Sequence, residues 1–226
     1  MGFKSLQFNG VSWEISLLGE DVYLLQAPSD ISIDSIHSTS HAIEKLLSKQ
    51  LLDIVPAYDS IALFSKLSFD QIAKRLQNSK GIDSENSIQS KKQIIPICYE
   101  LGLDLKHIGT HAGLSIDAVI ETHLKGTYRS LFIGFTPGFI YADGLDLSLA
   151  CPRKANPRTH IEAGSIGIGG EQTGIYSLNS PGGWNIIGQT PMKLFDHSQH
   201  PPMKVEVGTT FSFKQISKEE FESWAN

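Results

Sequence analysis

Apolar and polar positions alternate along residues 12–18 and again along 21–27, with Gly19 and Glu20 between them, which predicts two strands joined by a two-residue hairpin turn. A polar patch containing Ser38, Thr39 and Ser40 follows. Beyond it Ala42, Ile43, Leu46 and Leu47 recur at intervals of three and four, the period of a helix that buries one stripe. Residues 51–55 and 61–64 form a second strand pair around the turn-like Pro56, Ala57, Tyr58 and Asp59. Ser68 stands three residues before Gln71, the spacing of a capping box, and Ile72, Ala73 and Leu76 continue at helical intervals. This order predicts a small α+β domain over residues 1–80.

The periodicity then lapses. Residues 79–92 carry almost no large apolar side chain, and 81–92 reads as a linker. Residues 93–99 read as a strand, and Ser115 can cap a helix striped by Ile116, Val119, Ile120 and Leu124 and closed by Gly126. His123 falls on the same stripe, so it reads as a core histidine rather than a base. From Leu131 onward the pattern breaks into short β-like pieces separated by Gly and Pro, and most of the 20 glycines lie there. Short strands with frequent turns predict a mainly β second domain, residues 93–226, built as a barrel or sandwich rather than a doubly wound sheet.

Composition narrows the function classes. The 226 residues are 40% hydrophobic and 19% charged, with a formal net charge of -5 and no basic cluster longer than Lys91 and Lys92, so nucleic acid is not an expected partner. No run of eighteen apolar residues and no signal-like N-terminus occurs, which predicts a cytoplasmic protein without a membrane span. Cys98 and Cys151 stand apart from any CxxC or Cys/His spacing, so neither a disulfide nor a metal site is expected.

The stretch Gly134-Phe135-Thr136-Pro137-Gly138-Phe139-Ile140-Tyr141 resembles the GFxPGFxY signature of the family that holds KipI and the 5-oxoprolinase B subunits, often labelled allophanate hydrolase subunit 1. In register behind it stand Pro152-Arg153, Pro157-Arg158, Ala163-Gly164-Ser165, the run from Gly169 to Tyr176, and Ser180-Pro181-Gly182-Gly183-Trp184 with Ile187-Gly188-Gln189-Thr190. The resemblance implies a cyclophilin-like barrel for the C-terminal part. It also implies a B subunit that acts with A and C partner subunits to convert 5-oxoproline to glutamate using ATP. The alternatives within the family are an inhibitor that docks on a sensor histidine kinase and an allophanate or urea carboxyltransferase-type subunit. Glu100, Ala142-Asp143 and His160-Ile161-Glu162 depart from the family pattern, the last two beside the expected site.

Within these blocks, Arg153 and Arg158 each follow a proline, and a guanidinium offers a rigid fork of donors that matches a carboxylate or phosphate. The bland alternative pairs them with Asp143, Asp146 or Glu162. The glycine-rich run from Gly164 to Gly174 lacks GxxxxGK[ST] and GxGxxG, so a complete nucleotide site within the chain is not expected; its glycines suit bulges or close approach in a barrel. Gln172 and Thr173 carry groups that can hydrogen-bond a lactam. Gly182, Gly183 and Trp184 suit a tight turn beside an apolar wall, where Trp184 either orients a planar substrate or plugs the barrel end. Phe135, Phe139 and Tyr141 share a face if their segment is extended, as pocket wall or as core. His160 is the candidate general acid or base.

Overall fold

The computed structural model describes residues 4–78 and 92–224. The chain forms two compact units, divided between residues 87 and 88.

The N-terminal unit is an antiparallel sheet of β1 (Lys4–Phe8), β2 (Val11–Gly19), β3 (Val22–Gln26), β4 (Leu51–Pro56) and β5 (Ser60–Ser65), in the order β1-β2-β3-β5-β4. Helices α1 (Ile33–Leu47) and α2 (Phe69–Gln77) pack with it around Trp13, Leu25, Ile36, Ile43, Leu63 and Leu76. The capping box at Ser68 and Gln71 is present in both directions. Two local expectations need correction. The helix begins at Ile33 under a Ser32 cap, not after Ser40. The polar patch sits inside it, where Asn9 Nδ2 donates to Ser38 Oγ (3.3 Å) and Thr39 Oγ1 (3.0 Å). Strand β1, which the alternation did not announce, pairs with β2 through Asn9 and Gly10, both at positive φ as a tight hairpin turn requires.

In the C-terminal unit seven strands form one sheet: β6 (Gln93–Ile97), β7 (Tyr128–Ile133), β8 (Ile140–Asp143), β10 (Ser165–Gly169), β11 (Gln172–Ile175), β13 (Asn185–Gln189) and β14 (Thr210–Gln215). Their order is β13-β10-β11-β8-β7-β14-β6. Cys98 and Gln189 exchange backbone hydrogen bonds of 2.8 and 3.1 Å, which joins the end of β6 to β13 and nearly closes the sheet into a barrel. Ile166, Ile168, Ile175 and Ile187 fill its core together with Ile95, Ile97 and Phe211. A two-stranded ribbon of β9 (Arg158–Ile161) and β12 (Ser180–Gly182) stands apart from this sheet. Helices α3 (Leu105–Ala112) and α4 (Ile116–Lys125) pack on each other, and α5 (Lys218–Trp224) ends the described chain. Among the described residues no helix is long and apolar enough to cross a membrane.

Ser115 caps α4 as expected, but Gly126 ends it for another reason. Its φ is negative, and a Cβ there would lie 2.5 Å from the Tyr128 hydroxyl, so the glycine makes room rather than turning left-handed. His123 is fully buried, stacks on Phe213 at 4.7 Å, and shares a 2.7 Å hydrogen bond with the Tyr99 hydroxyl. Burial depresses its pKa to about 3. The unfolded chain therefore binds a proton near the ordinary histidine value of about 6.5 while the folded chain does not, so stability falls as pH drops from there toward 3. The expected slope from this residue is about 1.4 kcal/mol per pH unit. Urea denaturation between pH 6.5 and 4.5 checks it: His123→Phe flattens the slope, and equal slopes in variant and wild type would contradict the assignment.

The segment expected as a linker lies outside the described residues except for Lys92. Because each unit has its own apolar core, we propose that the two are independent domains. A fragment of residues 92–226 is then expected to unfold cooperatively by circular dichroism; a fragment without a cooperative transition would refute the division.

Candidate functional site

Alternation along β10 and β11 divides the sequence between the barrel's two faces. Ile166, Ile168, Thr173 and Ile175 are buried, the isoleucines in the barrel core, while Gly167, Gly169 and Gly174 leave the other face bare. Trp184 lies on that strip of backbone. A Cβ on Gly169 would come within 2.7 Å of the indole, and one on Gly174 within 2.8 Å of Phe139 and 3.0 Å of Trp184. These glycines therefore seat an aromatic layer on the barrel's outer face, and Trp184 does not plug the barrel end.

The layer is continuous. Phe139 contacts Tyr141 (4.7 Å between centroids), Tyr176 (4.8 Å), Trp184 (5.6 Å) and Phe135 (5.7 Å), and Tyr141 contacts Trp184 (5.9 Å). Ile161 and Ile186 complete it. Phe135 joins by a different route from the one expected. Residues 134–139 form a turn and the strand resumes only at Ile140, with Phe135 at φ 67° and Gly138 at φ 81°. A bulky residue held left-handed costs on the order of 1–3 kcal/mol, and here the turn leaves the Phe135 ring 62% exposed at the edge of the layer.

Arg153 lies over this layer, its guanidinium carbon 5.1 Å from the Trp184 ring. The side chain is exposed, and among the described residues no carboxylate pairs with it. Its charge favours ionisation of the Tyr141 and Tyr176 hydroxyls, although burial dominates and pushes Tyr176 up to about 12. The Tyr176 hydroxyl is buried without a hydrogen bond of good geometry, beneath Gly182, whose Cβ would fall 2.2 Å from it.

Arg158 does hold a carboxylate in a two-pronged grip, but the carboxylate is the protein's own. Nη1 and Nη2 each donate at 2.8 Å to the buried Asp104, which also accepts from Lys154 Nζ (2.9 Å) and the Ile186 N–H (2.7 Å). Four donors saturate this carboxylate. Desolvation pushes its pKa up, the hydrogen bonds from Arg158, Lys154 and Ile186 pull it down further, and the net shift is downward. Asp104 thus ties the start of α3 to β13 and to the loop of residues 152–158. The expected partners Asp143, Asp146 and Glu162 are not the ones Arg158 uses, and the fork is not free for an external anion.

The remaining candidates separate. Gln172 is half-buried and shares the outward parity of Gly174, on the Trp184 side. Thr173 points the other way and donates its hydroxyl to the Gly167 carbonyl at 3.1 Å. Gly182 belongs to strand β12 rather than a tight turn, and the Gly183 carbonyl accepts the Lys154 N–H at 2.7 Å, fastening the arginine loop to the Trp184 segment. His160 is exposed and hydrogen-bonded to Glu162 at 2.8 Å. Strand alternation puts it on the face of β9 opposite Ile161, which packs into the aromatic layer, so the structure does not bring His160 together with Arg153 and Trp184.

Sequence reasoning missed Asp104 and helix α3 altogether. The aspartate directly before Leu105 is a helix-start signal, but Gly109, Thr110 and two histidines weaken the helical pattern behind it. Gly109 is where a Cβ would strike the Leu114 carbonyl at 2.7 Å. Cys98 and Cys151 are free and buried. Among the described residues no group of three or more metal-ligating side chains comes together.

Comparison with known proteins places the chain. Residues 13–205 match the family described as carboxyltransferase domain, subdomain C and D. The sequence is 29% identical over 234 residues to the B subunit of 5-oxoprolinase from Bacillus subtilis, covering 95% of this chain and 97% of that one. It is 33% identical over 201 residues to the B subunit of 5-oxoprolinase from Haemophilus influenzae, covering 87% and 94%. The crystal structure of TTHA0988 superposes with a TM-score of 0.74 at 30% identity, over 87% of this chain and 40% of that one.

Proposed function

This chain belongs to the carboxyltransferase subdomain C and D family, and on that premise we propose that it is the B subunit of an ATP-dependent 5-oxoprolinase, working with C and A partner subunits to open 5-oxoproline to glutamate. The relatives at 29% and 33% identity, each matched over nearly its whole length, support the reading. The observation that carries it at the site is the Arg153 guanidinium over Trp184, unpaired among the described residues. 5-Oxoproline is a flat five-membered lactam bearing one carboxylate. An aromatic floor whose accessible part is the half-buried Tyr141 and the exposed Phe135, with Trp184 buried beneath Arg153, suits the ring, and a fork of donors at its rim suits the carboxylate.

ATP supplies the phosphoryl group that activates the otherwise unreactive lactam carbonyl, and coupling to ATP fits a reaction in the cytoplasm. The loop of residues 152–158 fits a phosphate-bearing partner: it carries Arg153, Lys154 and Arg158, and the one carboxylate its cations contact among the described residues is Asp104. This chain's own part is to bind and orient the lactam and to exclude water from the ring over the aromatic floor. Its described residues hold no nucleophile and base in hydrogen-bond contact at the aromatic layer, which supports a reaction centre completed by partner subunits.

Coexpression with a C subunit tests this. The two chains are expected to co-elute in size-exclusion chromatography and to bind labelled 5-oxoproline together in equilibrium dialysis. A chain that fails to associate yet lowers the autophosphorylation of a sensor histidine kinase would overturn the proposal in favour of the inhibitor reading.

A further inference from the structure

We infer that the cavity between α3 and the loop of residues 151–156 is a phosphoanion subsite, distinct from the position over Trp184 and sharing Arg153 with it. The cavity measures about 450 Å³, within the range of about 300–1,000 Å³ typical of small-ligand sites. His107 and His111, one helical turn apart on the exposed face of α3, form one wall; Arg153, Lys154 and Asn156 form the other. Cys151 adds a buried thiol, pushed up by burial and therefore held neutral.

Three features point to phosphate. Every polar side chain of the two walls can donate a hydrogen bond, since a neutral imidazole still presents one N–H, and no carboxylate lines the cavity. The loop's three cations share one carboxylate, leaving two positive charges in excess on a chain whose net charge is -5, so this local charge runs against the chain's average. The donor-bearing residues also come from a helix on one side and a loop on the other. A carboxylate presents two oxygens in one plane, whereas a phosphoryl group presents three around a tetrahedron and can meet both walls at once.

The loop is held in place for this. Lys154 Nζ and Arg158 anchor to Asp104, and the Lys154 N–H to the Gly183 carbonyl, so the wall facing the histidines is preorganised by internal bonds. The subsite deepens the reading above, on which it rests for the identity of the phosphate donor but not for the binding itself. With a lactam carboxylate on Arg153, a phosphate chain in this cavity lies against the same residue.

Isothermal titration of the full chain with tripolyphosphate, ADP, inorganic phosphate and acetate tests the inference. Tripolyphosphate and ADP are expected to bind where acetate at the same concentration does not. The double variant His107→Ala/His111→Ala, at exposed helix positions, is expected to keep its melting temperature and bind both at least tenfold more weakly. Preference for ADP over inorganic phosphate assigns the subsite to a nucleotide, and equal binding assigns it to free phosphate; either supports it. Absence of tripolyphosphate binding to the wild type, or undiminished binding in the folded double variant, would overturn it. If binding holds while the assembled enzyme shows no 5-oxoproline-dependent ATP turnover, the functional reading fails and the subsite stands.

Discussion

Asp104→Asn is expected to lower the stability of the C-terminal unit by about 3–5 kcal/mol, the cost of breaking a buried ion pair from one side. The carboxylate accepts four hydrogen bonds, two of them from Arg158, and asparagine offers one acceptor and turns a donor toward Arg158 or Lys154. Arg158 and Lys154 are then left partly buried with their charge uncompensated. The folded-state pKa of Asp104 lies below its ordinary value, so its contribution is present above about pH 4 and is lost as pH falls through the depressed folded value. Thermal or urea unfolding at pH 7 measures the loss. Replacing Arg158 as well, Asp104→Leu with Arg158→Met, is expected to cost less than the sum of the single changes, since Lys154 alone then loses its carboxylate and its flexible side chain can turn to solvent. A stability within about 1 kcal/mol of wild type for Asp104→Asn would show that the clamp is dispensable.

Arg153→Lys is expected to do the opposite: to leave the melting temperature nearly unchanged and to reduce kcat/KM of the reconstituted enzyme by about 2 kcal/mol of transition-state stabilisation, roughly thirtyfold. Lysine keeps the charge but loses the planar fork and its stacking on Trp184. Arg158→Lys makes the contrast, because its fork is spent on Asp104 and its loss appears in unfolding. On this proposal the two prolyl-arginines divide into one free to bind substrate and one committed to Asp104. Near-normal turnover in Arg153→Lys would move the substrate away from the Trp184 layer.

The two arginines also show what the sequence could and could not tell. Both read as anion ligands, because residue type and a preceding proline are local facts. The partner of Arg158 is fifty-four positions away, and no local pattern announces it. The α+β order of the first unit and the barrel texture of the second were legible, since period-two runs, the capping box at Ser68 and the density of glycine each have a local physical cause. The start of α1 differs from the sequence reading because Ser38, Thr39 and Ser40 look like a cap, whereas inside the helix Ser38 and Thr39 meet Asn9 from a distant turn and Ser38 also donates to the Ser35 carbonyl. Strand β1 was overlooked although Asn9-Gly10 is a strong hairpin signal. The glycines of β10 and β11 read as places of close approach, but the approaching group, Trp184, comes from the short connection between β12 and β13, so its seat could be seen only in the fold.

The central claim is that this chain binds the lactam as one part of an ATP-coupled enzyme. The most direct measurement is ATP hydrolysis by the purified chain mixed with A and C subunits, with and without 5-oxoproline, and with each chain left out in turn. ADP and glutamate are expected to form together only when 5-oxoproline and all three chains are present, with the isolated chain inactive. Turnover by this chain alone, or equal turnover when it is omitted from an otherwise complete assembly, would contradict the account.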